Sequence, residues 1–282
     1  MTTTRSTTET APAAPNTTTQ ASLYQRLRGH LAVLKLHDAA EALPAVLDRA
    51  QTEGASMTAA LEQLLAIEVE ATEARRLAGR LRFACLPTPA SLDDFDYDAA
   101  PDLDRKLIAE LGTCRYLETA TNVLLIGPPG VGKTHLSVGL ARAAAHAGYR
   151  TYFTTAADLA ARCHRAAIEG RWATTMRFYA GPTLLVIDEL GYLPLPGEAA
   201  SALFQVVAQR YMKTSIVITT NRGVGEWGDI LGDTTVAAAM LDRLLHRSVV
   251  LNLDGNSYRL RDHHARSENL RKATTGTRQP LQ

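Results

Sequence analysis

The sequence has little of what marks secreted, metal-binding or membrane proteins. Its three cysteines, Cys85, Cys114 and Cys163, lie far apart and form no C-x-x-C pair, the spacing that zinc sites and redox pairs use. The apolar runs, of which 183–187 is one, are too short to cross a bilayer, and the N-terminus has no apolar signal core. We therefore expect idle thiols in a cytoplasmic protein without a membrane anchor.

Neither sign of charge is in excess. The chain has 30 basic and 29 acidic side chains and a formal net charge of +1, so any surface for a polyanion has to be local. A hydrophobic content of 46% over 282 residues excludes disorder throughout and allows one mid-sized core with a smaller satellite domain.

The N-terminal third is predicted to be helical. Residues 1–20 are rich in Thr, Ala and Pro without an apolar period, which predicts a disordered tail. Ser22 and Gln25 match a capping box, and apolar residues then recur at helical spacing with a break near 54–56. We expect about three helices in a small domain over 21–86, which is a candidate surface for DNA or a partner protein.

Beyond Pro87 the pattern changes to short apolar runs that alternate with helical stretches, which is typical of a parallel sheet covered on both faces. The predicted domain is α/β and spans 87–266, and the polar end, 267–282, is expected to be frayed. The predicted elements are strand 123–126, helix 134–147, strand 150–154, helix 156–169, strand 183–187, helix 197–212, strand 215–220, helix 235–247 and strand 248–253.

A glycine-rich turn lies between the first predicted strand and its helix. Backbone N–H groups of such a turn, with the positive end of the helix, bind phosphates. Lys133 is placed to bridge the β- and γ-phosphates and the Thr134 hydroxyl to bind Mg²⁺. The sequence therefore predicts a P-loop for Mg-ATP, formed by Gly127, Pro128, Pro129, Gly130, Val131, Gly132, Lys133 and Thr134.

Polar residues follow two later predicted strands, 183–187 and 215–220. Asp188 is expected to hold Mg²⁺ through water, and Glu189 to polarise the water that attacks the γ-phosphate. Asn221 ends the following strand and is a candidate for orienting that water; the alternative is a turn-forming Asn before Arg222-Gly223. Together with Lys133, these residues predict hydrolysis of ATP.

Two arginines end the last predicted helix. Arg243 and Arg247 are four residues apart and share a helical face. Either is a candidate for reaching a neighbour's nucleotide, where an arginine finger is worth about 10³ to 10⁵ in rate. The alternative is a pair of cations that complements the helix dipole.

Other P-loop classes fit less well. Asn221 is followed by Arg-Gly-Val, so the N-K-x-D motif of GTPases is missing, and no transporter-type L-S-G-G-Q signature occurs. A small-molecule kinase has little use for a water-activating Glu189. A nucleotide-gated adaptor that binds ATP with little turnover stays an alternative.

These motifs together resemble those of the AAA+ ATPases of the initiator and helicase-loader clade. More specifically, four stretches with family-like spacing resemble the IstB-type helper ATPases of insertion-sequence transposition, and the similarity runs from about Leu27 to Arg261. Gly255-Asn256 departs from the more usual Gly-Glu, which puts in doubt only a role for position 256. The four stretches are Leu184 to Leu195, Gly225 to Trp227, Ala239 to His246 and Gly255 to Arg261.

The resemblance implies an ATPase that assembles as a homo-oligomer on duplex DNA, largely independent of sequence, and presents it to a partner transposase. It favours Arg243 as a finger acting in trans and leaves Arg247 as a DNA- or interface-facing candidate. A replicative helicase loader of the same clade is the nearest alternative.

In that clade the helices after the second strand face nucleic acid, and Arg162, Arg165, Arg171 and Arg177 lie there. Arginines of this kind grip phosphates without reading bases, whereas the alternative is a solvated basic face. Arg76 and Arg80 near the end of the N-terminal helices are further candidates, although basic residues there also suit the helix dipole.

Three other features are interpreted as inert. The stretch Asp94 to Asp98 mimics a calcium loop, but Ala99 and Arg105 occupy the positions of its glycine and its last acid. His263-His264 has no further ligands at metal spacing. Trp172 and Trp227 are predicted to pack in the core rather than stack on bases, because no row of aromatic residues accompanies them.

Overall fold

A computed structural model describes residues 17–192, 195, 197–255 and 257–258. The chain divides into two compact units after Arg76, earlier than the boundary inferred at Pro87. The tail expected over 1–20 lies outside the described residues except for 17–20, which begin the first helix. The end expected to fray, over 267–282, and His263-His264 lie wholly outside them.

The N-terminal unit is helical, with a break where one was predicted. Gly54 ends the second helix at φ 64°, in the left-handed region that suits glycine. The capping box predicted at Ser22 and Gln25 is wrong, because the first helix starts at Thr17 and contains both residues. The helices are α1 Thr17–Val33, α2 His37–Glu53 and α3 Met57–Ala84, of which α3 continues past Arg76.

The second unit contains the parallel sheet, and its elements agree closely with the predicted ones. The strands are β1 Asn122–Ile126, β2 Thr151–Thr155, β3 Leu184–Leu190, β4 Ser215–Thr220 and β5 Ser248–Asn252. The helices are α4 Arg105–Gly112, α5 Lys133–His146, α6 Ala156–Ile168, α7 Trp172–Ala180, α8 Gly197–Arg210, α9 Trp227–Leu231 and α10 Thr234–Leu245. The α/β prediction with five parallel strands is confirmed.

The strand order is β2-β3-β4-β1-β5, and every neighbouring pair is parallel. Successive side chains point to opposite faces, so Val123 and Leu125 pack in one core and Leu124 in the other. Because β4 lies between β1 and β3, polar residues at its end lie between the P-loop and the two acids at the end of β3. No helix within the described residues is long and apolar enough to cross a membrane.

Candidate nucleotide site

The glycine-rich turn adopts the conformation that phosphate binding needs. It follows β1 and leads into α5, a helix of 14 residues that begins at Lys133. Gly130 and Gly132 have φ values of 88° and 94°, a conformation that glycine adopts more readily than any residue with a side chain. The loop is fixed to the sheet because Gly127 N–H donates to the Thr220 carbonyl at 3.1 Å.

Lys133 and Thr134 stand at the start of α5, as the P-loop prediction requires. The buried Lys133 ammonium donates to the carbonyls of Gly127 and Pro128, both at 2.7 Å. The Thr134 hydroxyl lies 3.2 and 3.0 Å from the two carboxylate oxygens of Asp188. A hydroxyl that faces a carboxylate is the oxygen donor set that Mg²⁺ prefers, so these two residues fit the cation.

The end of β3 is irregular at the two acids. The β3–β4 register shifts between Ile187 and Leu190, which is a β-bulge that re-aims a side chain. Within it Asp188 is buried, at 3% exposure, while Glu189 is exposed and has φ 62°. Strain of this kind at a non-glycine residue concentrates at functional sites. The bulge therefore turns the two adjacent carboxylates into different environments.

A cavity of about 380 Å³ adjoins the P-loop. Its floor comes from Gly130 to His135, and its wall comes from the chain between α3 and α4, including Phe95. The Phe95 ring lies 5.5 Å from the His135 ring, edge to face, and 2.6 Å from where a side chain on Gly132 would begin. The volume and the apolar wall suit the base and sugar of a nucleotide.

The sequence does not indicate this wall. The stretch from Asp94 to Asp98 resembles only the start of a calcium loop, whereas in the structure the Asp96 carboxylate accepts the N–H groups of Asp98 and Ala99 and caps a short 3₁₀ helix, Tyr97–Ala99. No motif in this stretch predicts that it contacts the P-loop, which lies some distance away in the sequence. The described lining outside the P-loop and Glu189 is Thr88, Asp94, Phe95, Asp96, Ala99, His135, Tyr192, Thr219 and Tyr258.

The chain after β5 crosses the P-loop. Tyr258 N–H donates to the Gly130 carbonyl at 3.0 Å, and Leu253 N–H donates to the Ile126 carbonyl at 2.7 Å. A side chain on Gly130 would begin 2.1 Å from the Ser257 hydroxyl oxygen. We call residues 253–255 and 257–258 the crossing segment. It leaves no space for a larger residue at Gly130.

Replacing Gly132 with Ala is expected to lower the free energy of unfolding more than replacing Gly148 with Ala. Both glycines have nearly the same φ, 94° and 96°, and the left-handed conformation costs an alanine roughly 1–2 kcal/mol. Only at Gly132 does the new methyl also overlap the Phe95 ring, since nothing lies within 4 Å at Gly148. Chemical denaturation measures the difference, and equal losses in the two variants would contradict the Phe95 contact.

Thr219 in β4 and Asn221 just after this strand differ in their relation to the cavity. The Asn221 side-chain oxygen is buried and has no hydrogen-bond partner among the described residues, and Asn221 does not line the described cavity. Thr219, two residues earlier, does line it and donates a hydrogen bond to Asp188. The role of Asn221 stays a prediction, and Thr219 is a residue that the sequence did not single out.

The two late arginines lie away from this cavity. Arg243 donates to the Ala239 carbonyl at 2.6 Å, and its guanidinium lies 5.0 Å from the Phe204 ring centre. Arg247 donates to the Thr119 carbonyl at 3.2 Å. Neither lines the part of the cavity that the structure describes, so the roles of both arginines at a nucleotide stay predictions.

The arginines predicted to contact DNA have different surroundings. Arg171 pairs with Glu169, and Arg76 pairs with Glu73 at 2.5 Å. Arg80 donates to the Ala145 carbonyl at 2.8 Å near the end of α5, which satisfies a helix terminus. These three side chains therefore already have internal partners.

Arg162 and Arg165 are exposed on α6, and no ion pair among the described residues joins either of them to a carboxylate. The Arg162 guanidinium lies 4.2 Å from the Phe178 ring centre and donates to the Tyr152 hydroxyl at 3.1 Å. Stacking on an aromatic ring pre-organises a guanidinium for phosphate.

Further aromatic contacts, edge-on or tilted, lie along the edge strand β2. The Tyr152 ring lies 4.8 Å from the Phe178 ring and 5.7 Å from the Phe83 ring, and Arg150 lies 4.0 Å over Phe83. We call Arg150, Phe83, Tyr152, Phe178 and Arg162 the β2-edge row. The residues of the β2-edge row are distant in sequence. The prediction that Trp227 packs in the core is confirmed by its full burial.

The cysteines are reduced in the structure, with Cys85 exposed and Cys114 and Cys163 buried. Burial raises the pKa of the Cys163 thiol to about 11, so it stays protonated at neutral pH and is a poor nucleophile. This agrees with the interpretation of Cys163 as an idle thiol, whereas the interpretation of the exposed Cys85 stays a prediction.

The sheet order, the glycine-rich turn before α5 and the acid pair at the end of β3 define a P-loop NTPase of the AAA+ type. Residues 29–266 match the family model described as IstB-like ATP binding protein. The chain belongs to this family, and the matched range agrees with the resemblance inferred from about Leu27 to Arg261.

Two bacterial relatives are similar over most of the chain. The ATP-binding protein of insertion sequence IS5376 from Geobacillus stearothermophilus is 41% identical over 246 residues, which cover 87% of this chain and 98% of that protein. The corresponding protein of insertion sequence IS21 from Pseudomonas aeruginosa is 42% identical over 188 residues, covering 67% of this chain and 71% of that protein.

Solved structures agree on the fold. AMPPCP-bound DnaA from Aquifex aeolicus superposes with a TM-score of 0.51 at 19% identity, over 62% of this chain and 53% of that one. A DNA replication initiation factor gives 0.50 at 19% identity, over 60% and 51%. The chain thus matches about half the length of these two proteins, and the match shows the shared fold alone.

Proposed function

We propose that this protein is an ATPase that binds Mg-ATP, assembles on duplex DNA and assists a partner transposase in insertion-sequence transposition. The observation that carries the ATPase proposal is that Lys133, Thr134 and Glu189 line one cavity, where the Thr134 hydroxyl also faces the Asp188 carboxylate. The insertion-sequence names of the relatives support the biological setting.

In the proposed mechanism, the P-loop N–H groups and Lys133 bind the phosphates, and Lys133 exchanges its carbonyl contacts at Gly127 and Pro128 for phosphate oxygens. Thr134 and Asp188 would hold Mg²⁺, which when bound neutralises charge on the phosphates. Glu189 accepts a proton from the attacking water. Asn221 orients this water after a side-chain rotation that exposes its amide.

Homo-oligomerisation is part of the proposal, and the position of Arg243 supports it. Its side chain lies away from the cavity of its own subunit, so it is proposed to complete the site of a neighbour. Hydrolysis would then depend on assembly. Arg247, which is held against Thr119, is proposed to face DNA or the subunit interface.

DNA binding is proposed for the basic surface around β2 and α6. Arg162 and Arg165 form its centre, and Arg171 lies at the start of α7. Arg171, Arg76 and Arg80 are proposed as weaker contributors, because binding DNA would require each of them to leave its present partner. Contacts from guanidinium to phosphate give affinity that is tolerant of sequence and sensitive to salt.

The test measures ATP hydrolysis by the full chain with Mg²⁺, with and without duplex DNA, together with assembly size. We expect DNA to stimulate hydrolysis and to promote large assemblies. Binding of ATP without turnover under all conditions would contradict the ATPase and favour a nucleotide-gated adaptor.

The DNA arm of this test compares the Arg162→Ala/Arg165→Ala double variant with the parent. Each phosphate contact contributes about 0.9 to the slope of log K against log salt concentration, so we expect the slope to fall by about 2. Arg115→Ala is the matched control, because Arg115 is an exposed arginine that pairs with Glu110 at 3.9 Å. An unchanged slope in the double variant would contradict the assigned surface.

A further inference from the structure

The bulge at the end of β3 leaves backbone groups that the regular ladder would otherwise pair. Ile187 is opposite Ile218, but Leu190 is opposite Thr220, so β3 uses one residue more than β4 over this stretch. Glu189 lies in the extra length with φ 62°. Its N–H donates to a side chain, the Thr219 hydroxyl, at 2.9 Å.

The same hydroxyl has a second partner. Thr219 donates its hydrogen to an Asp188 carboxylate oxygen, which also faces the Thr134 hydroxyl. A hydroxyl has one hydrogen to donate and lone pairs to accept, so both bonds form at once. Thr219 is 1% exposed, and a valine there would leave the Glu189 N–H without this acceptor.

We infer that Thr219 is a positioning residue for hydrolysis, which fixes the backbone of Glu189 and the carboxylate of Asp188 through one hydroxyl. The inference rests on the proposed function and adds to it a residue that acts through the two acids. Because β4 lies between β1 and β3, Thr219 is placed to connect the residue proposed to activate water with the residues proposed to hold Mg²⁺.

The expected effect falls mainly on the chemical step. A displacement of about 1 Å in a reacting group costs up to about 10²-fold in rate, so we expect Thr219→Val to lower kcat by about 10- to 100-fold at saturating Mg²⁺. Loss of the Asp188 bond is expected to raise the Mg²⁺ concentration needed for half-maximal rate. Thr219→Ser keeps the hydroxyl and should retain most of kcat.

Two comparisons separate positioning from a loss of folding. Thr151→Val is the matched control, since Thr151 is fully buried in β2 and its hydroxyl has no hydrogen-bond partner among the described residues; it should keep the parent kcat. In a Glu189→Gln background, Thr219→Val should add little, because groups that act as a unit are non-additive. A purely structural role would lower both backgrounds by the same factor.

The outcomes are distinguishable. If the parent hydrolyses Mg-ATP and Thr219→Val does so at the parent rate, the inference is overturned and the proposed function stands. A loss shared by Thr219→Ser and Thr219→Val, or one that multiplies fully with Glu189→Gln, also overturns it. A parent chain without hydrolysis, with or without duplex DNA, contradicts the proposed function and the inference together.

Discussion

Replacing Glu189 with Gln is expected to lower kcat for ATP hydrolysis by about 10²- to 10⁴-fold, the usual contribution of a general base. The amide keeps the size of the side chain but accepts a proton poorly. Nucleotide affinity should stay close to that of the parent, because the P-loop, Lys133 and Asp188 are unchanged. Single-turnover hydrolysis and binding of a fluorescent ATP analogue measure the two effects separately.

The matched control is Glu110→Gln on α4. Glu110 is an exposed glutamate outside the cavity, 3.9 Å from Arg115, and should have the parent rate. If Glu189→Gln also turned over at the parent rate, Glu189 would not be the base, and the adaptor alternative would gain support.

Replacing Arg243 with Ala is expected to lower DNA-stimulated hydrolysis by about 10³- to 10⁵-fold, the value of an arginine finger. ATP binding to the isolated chain should change little, because Arg243 does not line the described part of its own cavity. Arg247→Ala is the comparison: if it loses hydrolysis and Arg243→Ala does not, the finger is Arg247.

A mixing experiment tests whether Arg243 acts in trans. Arg243→Ala subunits keep an intact P-loop and Glu189, while Glu189→Gln subunits keep an intact Arg243. A site is complete where an Arg243→Ala subunit supplies the P-loop and a Glu189→Gln neighbour supplies the arginine, so the mixture should hydrolyse ATP faster than either variant alone. Two inactive variants that stay inactive when mixed, although they assemble, would contradict action in trans.

The sequence was sufficient for the fold of the second unit because its signals are local. Each strand of the sheet is a short apolar run, and the P-loop has its glycines, Lys133 and Thr134 within eight consecutive residues. Parallel strands then bring their carboxyl ends together, which placed Asp188 near Thr134 without knowledge of the three-dimensional structure.

The parts that were missed depend on contacts between distant residues. Phe95 reaches the site because the chain before α4 folds back against Gly132, and no periodicity in its own neighbourhood records this contact. The bulge that gives Asp188 and Glu189 different environments could not be predicted either, since apolar runs predict a strand but not its register. The capping pattern at Ser22 predicts a helix that starts there, whereas α1 begins earlier, at Thr17.

The crossing segment has a consequence for synthesis on the ribosome. Proteins emerge and begin to fold from the N-terminus, so all eight P-loop residues are made long before Leu253 and Tyr258 bond to Ile126 and Gly130. A nascent chain that stops short of Tyr258 contains the complete nucleotide-binding motif but lacks the backbone bond that ties Gly130 down. The backbone bond that holds Gly130 is therefore formed late, only after residues far beyond the P-loop have been synthesised.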